Sequence, residues 1–170
     1  MKYLQAIVLA LAAAALLAPS ARAADTPPST RAAQPAPAAA AAPANRLEKA
    51  RELIAERQWS AALAELQRVG DTGSADWNNL MGFVLRKGDA PDLAASERYY
   101  DAALRIDPHH LNTLEYSGEL YLMKGDLAKA EGRLATLESL CSAGCPQATD
   151  LGAAIGRYKA AGNKYVSTGW

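Results

Sequence analysis

Gly82 and Gly118 stand 36 residues apart, at the same place in two successive helical patterns. That repetition constrains the fold more than any other feature of the chain. The stretch Trp77 to Leu140 reads as two consecutive copies of a helix–turn–helix unit, with Pro108 closing the first copy and Gly125-Asp126 turning the second. A glycine inside a helix costs about 1 kcal/mol against alanine, so its return in both copies points to a packing reason. Gly82 and Gly118, together with Ala103 and Ala130, let a neighbouring helix approach closely. Larger residues there would overpack the contact, typically by roughly 1–3 kcal/mol. Units of this length cannot bury an apolar face alone, so they stack, and stacking builds an extended binding surface.

The flanking segments extend the pattern. Asn45 with Glu48 three residues on forms an approximate capping box for a helix running to about Arg57, with Leu47, Ala50, Leu53 and Ile54 as its stripe. Gln58-Trp59-Ser60 turns the chain into a second helix carrying Ala62, Leu63, Leu66 and Val69, which the Gly70 to Gly73 turn ends. Ala75 to Lys87 follows, then the loop Gly88-Asp89-Ala90-Pro91, and a helix capped by Asp92 that ends near Ile106. Asp107-Pro108 breaks it, because proline cannot continue the hydrogen-bond ladder. Leu111 to Lys124 carries Leu111, Leu114, Gly118 and Tyr121, and Leu127 to Leu140 carries Leu127, Ala130, Leu134 and Leu137 at the same spacings. After the tight connection Cys141 to Pro146, a last helix over 147–161 is expected, with Thr149 as its cap, and Gly162 ends it. The tail 162–170 is left unassigned. No strand pattern survives, and an alanine-rich chain with a single phenylalanine favours closely packed helices. The expected fold class is all-α.

The first 23 residues are expected to lie outside this fold. Lys2 supplies a positive start, Ala6 to Ala18 an apolar run, and Ala21-Arg22-Ala23 a small-x-small cleavage pattern that makes Ala24 the mature start. The run is too short for an ordinary membrane span. The reading is a secretory signal peptide, export to the periplasm, and no membrane insertion after cleavage. Residues 24–44 hold Pro27, Pro28, Pro35, Pro37 and Pro43 among small residues and are expected to be a disordered Ala/Pro-rich linker. The formal charge is zero, 18 basic against 18 acidic residues. Loss of Lys2 and Arg22 takes it to −2. A nucleic-acid partner, which calls for a basic stripe, is not expected.

The chain resembles a tetratricopeptide repeat (TPR) protein, whose unit is a helix pair of about 34 residues. Leu114, Gly118, Tyr121, Gly125 and Ala130 stand at the family's positions in the copy Leu111 to Gly144, with Leu134 and Leu137 where Phe and Ala are usual. Met81, Gly82, Leu85, Tyr100, Ala103 and Pro108 match in the copy Ala75 to His110, where Ser96 replaces the usual Ala. An earlier copy, about 43–74, keeps Trp59, Ala62 and Leu66 but has Ala50 where Gly is usual. The resemblance implies a TPR domain over 45–161: a helical-hairpin array of about three repeats with a carboxy-terminal capping helix. It also implies that the first helix of each pair lines a groove, which by repeat position places Arg51, Asn79, Phe83, Arg86, Asn112, Glu115, Glu119 and Leu122 there. Tyr99 and Tyr100 fall on the packing side. Some small exported bacterial members end the last repeat with a close cysteine pair, as Cys141 and Cys145 do here.

Few constellations carry chemistry. Cys141 and Cys145 are spaced C-x3-C in an exported chain, so a disulfide pinning the last turn is geometrically possible. Redox-labile thiols and a metal site are the other readings of the pair. Haem attachment needs C-x-x-C-H, and Pro146 follows Cys145. His109-His110 reads as a polar repeat junction, since adjacent histidines in a turn do not easily face one ligand. Glu115 and Glu119 sit one helical turn apart and read as a groove-lining face rather than a catalytic pair. No nucleophile–base set, Gly-rich phosphate loop or nucleotide fingerprint is present, so neither enzymatic activity nor a cofactor is expected. The implied function is a periplasmic scaffold that binds another protein or a peptide in an envelope assembly. The rival is a redox or metal-handling accessory protein using Cys141 and Cys145.

Overall fold

The computed structural model describes residues 46–167, and these form seven α-helices without a strand. They are α1 (Glu48–Ala55), α2 (Trp59–Val69), α3 (Ala75–Lys87), α4 (Leu93–Ile106), α5 (Leu111–Met123), α6 (Leu127–Leu140) and α7 (Pro146–Ala160). The expected signal peptide and linker lie outside the described residues. Among the described residues no helix is long and apolar enough to cross a membrane.

Local chemistry sets the helix ends. Ser74, Asp92 and Asp126 each accept a hydrogen bond from the backbone amide three residues on, at the starts of α3, α4 and α6. At α5 the capping group is a histidine, with His110 Nδ1 accepting from the Thr113 amide. Two starts differ from expectation. Trp59 and Ser60 are already helical and α1 stops at Ala55, so the turn before α2 covers residues 56–58, two residues earlier than the sequence suggests. The last helix begins at Pro146, one residue before the expected bound, and Thr149 does not cap it. Proline needs no amide partner in a first turn, and its fixed φ suits that position, so Pro146 opens α7 instead of closing the connection. Thr149 lies inside the first turn and donates its hydroxyl to the Cys145 carbonyl. Leu47 stands at the start of α1 without a side-chain cap, and Asn45 lies outside the described residues.

Helices α1, α3 and α5 each pack most densely on the helix that follows, while α7 packs most densely on α5 and α3 meets α5 over a smaller contact. The core has two centres. One, under α1 to α3, gathers Leu47, Leu53, Ile54, Leu66, Trp77, Met81, Phe83 and Val84. The Trp77 indole N–H donates to the Leu66 carbonyl at 2.7 Å, satisfying its one buried polar atom. The other, under α5 to α7, is built from Leu114, Leu122, Leu137, Leu151, Ile155, Tyr121 and Tyr158. Burying each such aliphatic side chain contributes about 1.5–3 kcal/mol. Gly82 and Gly118 sit at helix crossings as their recurrence implied: a Cβ on Gly82 would lie 2.6 Å from Tyr100, and one on Gly118 would lie 2.5 Å from Leu151. The Cys141 and Cys145 sulfurs are bridged, which ties the end of α6 to the start of α7.

Candidate functional site

Helices α3, α5 and α7 together line a concavity of about 230 Å³. Phe83, Arg86 and Lys87 come from α3, Asn112, Glu115, Tyr116 and Glu119 from α5, and Pro146, Gln147 and Asp150 from α7. The three helices converge because residues one repeat apart bond across them. Gln147 Nε2 donates to Asn112 Oδ1 at 2.8 Å over a separation of 35 residues, and Thr113 Oγ1 donates to Asn79 Oδ1 at 3.0 Å over 34. His110 Nε2 lies 3.1 Å from Asp76 Oδ1, again over 34 residues.

The floor is Arg86. Its side chain is 1% exposed, and Nη1 donates to Glu119 Oε2 at 2.6 Å. The guanidinium carbon lies 5.6 Å from the Phe83 ring centre and 5.7 Å from that of Tyr116, and the two rings pack 4.8 Å apart. Its Nε reaches the Tyr100 hydroxyl at 3.4 Å. Burial opposes the charge of Arg86, but Tyr100 and Glu119 outweigh burial and hold the guanidinium protonated, its pKa raised further above the arginine range. A buried charge survives only when paired and hydrogen-bonded in this way.

The rim is acidic on the α5–α7 side. Burial, followed by the Glu119 and Asp150 carboxylates, pushes Glu115 up to about 7, with Arg86 pulling the other way. Burial likewise raises Tyr116, to about 12, and lowers Lys87, where Arg86 adds like-charge repulsion. Such a surface offers an aromatic patch around a neutralised arginine, a carboxyl poised between charge states, and amide groups from Asn112 and Gln147. It can hold a polar, extended ligand. Among the described residues no group of His, Cys, Asp and Glu side chains is arranged to hold a metal ion.

Of the eight groove residues expected from repeat position, the structure gathers Phe83, Arg86, Asn112, Glu115 and Glu119 in this concavity. Three fall elsewhere. Asn79 is 3% exposed and turned into the α3–α5 contact, where it bonds Thr113. Leu122 is 1% exposed and belongs to the carboxy-terminal core, because it lies one turn beyond Gly118 on the packing face of α5. Arg51 lies outside the concavity, on α1, and pairs with Asp76 at 3.3 Å. Sequence reasoning missed Lys87, Tyr116, Pro146, Gln147 and Asp150. The signal was present for two of them, since Gln147 and Asp150 stand one repeat length beyond Asn112 and Glu115. The chain matches no family model, no curated protein and no solved structure.

Proposed function

We propose that the chain is a TPR-like helical scaffold, exported to the periplasm, whose concave face binds an extended segment of another protein in an envelope assembly. The observation that carries this reading is that three alternate helices, α3, α5 and α7, line one concavity while α4 and α6 stay out of it. Stacked helical pairs present such surfaces to partners. The bridged pair Cys141–Cys145 fits a structural pin at the last junction, and it supports this reading over one in which the cysteines act as free thiols. The lining is mostly polar, and that fits recognition of backbone and polar side chains rather than a buried small molecule.

Site-specific photocrosslinking tests the proposal. A photoreactive residue at position 112 or 150, on the concave face, should give discrete adducts in periplasmic extract. One at Arg98 or Glu138, both exposed on even-numbered helices, should not. The pair Glu115→Gln with Asp150→Asn should weaken the adduct at 112 while helicity by circular dichroism is retained. Equal labelling from both faces would remove the concave face as the partner site. Sequencing the amino terminus of the secreted protein tests export, with Ala24 expected as the first residue.

A further inference from the structure

Beyond the concavity itself, the groove continues past Arg86 and Lys87 into a second hollow of about 320 Å³, and there one wall is the chain's own tail. Tyr165 lines this hollow together with Trp59, Arg86, Pro91 and Met123. The tail reaches it through a reversal at the end of α7. Gly162 and Asn163 both take left-handed backbone angles, φ +67° and +62°. Their amides bond back to the carbonyls of Lys159 and Tyr158. Two such residues in succession fold the chain back on the helix it has just left. Tyr165 is then half-buried and packs against the carboxy-terminal core, close enough that Arg86 and Glu119 both act on its phenol. Among the described residues, 164–167 make no backbone hydrogen bond to the helices, and Val166 is 48% exposed.

A segment with one side chain seated and its backbone unpaired is shaped like a bound peptide rather than like part of the scaffold. We propose that the end of the groove between Trp59 and Met123 is a docking site for an extended segment bearing an aromatic side chain. Its resident occupant is the chain's own stretch around Tyr165, which a partner must displace. The inference rests on the groove reading above and adds regulation to it. An occupied end lowers the apparent affinity for any partner by the fraction of time the tail is seated.

The test uses three proteins: the full chain, the chain ended after Asn163, and full-length Tyr165→Ala. The probe is a fluorescent synthetic peptide of residues 162–170, read by anisotropy. The shortened chain and Tyr165→Ala should each bind the probe at least tenfold more tightly than the full chain. If all three bind alike, the docking site stands and the resident tail is overturned. If none binds, the docking site is overturned as well. A measurement within the full chain separates these cases from a tail that is never seated. Benzoylphenylalanine in place of Tyr165 should crosslink to Met123 or Trp59. Crosslinks elsewhere, or none, would overturn the proposal whatever the peptide does.

Discussion

The two best-formed helix pairs, α3–α4 and α5–α6, carry the same sequence signature and use it differently. In the first pair the glycine closes the pair on itself: Gly82 lies under the Tyr100 ring, and Ser96 Oγ donates to the Gly82 carbonyl at 2.7 Å. In the second pair the corresponding glycine faces forward, and Gly118 lies under Leu151 of α7. The residues one repeat on explain the change. Leu134 occupies the place of Tyr100 and is too small to fill the slot over Gly118, so Leu151 takes it. Tyr116, which precedes Leu151 by one repeat, finds the slot over Gly82 already filled and packs on Phe83 instead, at 4.8 Å. A recurrent glycine therefore specifies a close approach, while the size of the opposing residue decides which helix makes it.

The largest expected effect concerns the joint between the two regions. Arg86 belongs to the first and Glu119 to the second, and their ion pair lies across the α3–α5 contact. Glu119→Ala strands a buried guanidinium. Breaking a buried pair costs about 3–5 kcal/mol, and the lower end applies here because Glu119 is itself 20% exposed. Urea unfolding should show the loss, and Arg86→Met with Glu119→Leu should recover most of it. A loss below about 1 kcal/mol, well under the usual range for a buried pair, would mean that the Phe83–Tyr116 stack, not the ion pair, joins the regions.

Next in size is the difference between the glycines. Gly82→Ala pushes a methyl group against a buried aromatic ring and the Ser96 carbonyl oxygen, 3.1 Å away, and neither can withdraw. Overpacking should fall at the upper end of the roughly 1–3 kcal/mol range, and less a helix-propensity gain of about 1 kcal/mol it leaves a net loss of up to about 2 kcal/mol. Gly118→Ala meets only the branched end of Leu151, which can rotate, and should lose less than about 1 kcal/mol for the same two reasons. Adding Leu151→Val should relieve Gly118→Ala and leave Gly82→Ala unchanged. The reverse pattern would sink the account of opposing residue size.

This contrast also marks what could be read from the chain. The bounds of α3, α4 and α6 follow from capping residues and breakers that act within four residues, so local chemistry sufficed. The start of α7 was placed one residue late and its cap at Thr149, because Pro146 serves equally well to end a turn or to open a helix. In the groove, repeat register found Phe83, Arg86, Asn112, Glu115 and Glu119. It failed at Leu122, although the four-residue step from Gly118 already put that side chain on the packing face. It failed at Asn79, whose partner Thr113 lies a full repeat away and leaves no local trace. The seat of Tyr165 was out of reach, since it depends on two consecutive left-handed residues of which one is an asparagine.

The smallest effect is a drift with pH, and it should come from the second region alone. Glu115 stands one repeat after Asn79, so the same place carries a neutral amide in α3 and a carboxyl in α5. The groups facing that carboxyl are Glu119 on its own helix, Asp150 from α7 and Arg86 from α3. Burial and the two carboxylates raise its folded-state pKa from 4.5 to about 7, so the folded chain binds a proton there more tightly than the unfolded chain does. The stability this contributes is complete below pH 4.5 and is lost as pH rises through 7. The melting temperature should therefore fall across that window, and Glu115→Gln should flatten the fall. Hydrogen exchange locates it: after correction for the intrinsic pH dependence, amides of α5 and α6 should lose protection between pH 5 and pH 8 more than those of α3 and α4. An equal loss in both regions would show that Arg86–Glu119 couples them too tightly for either to respond alone.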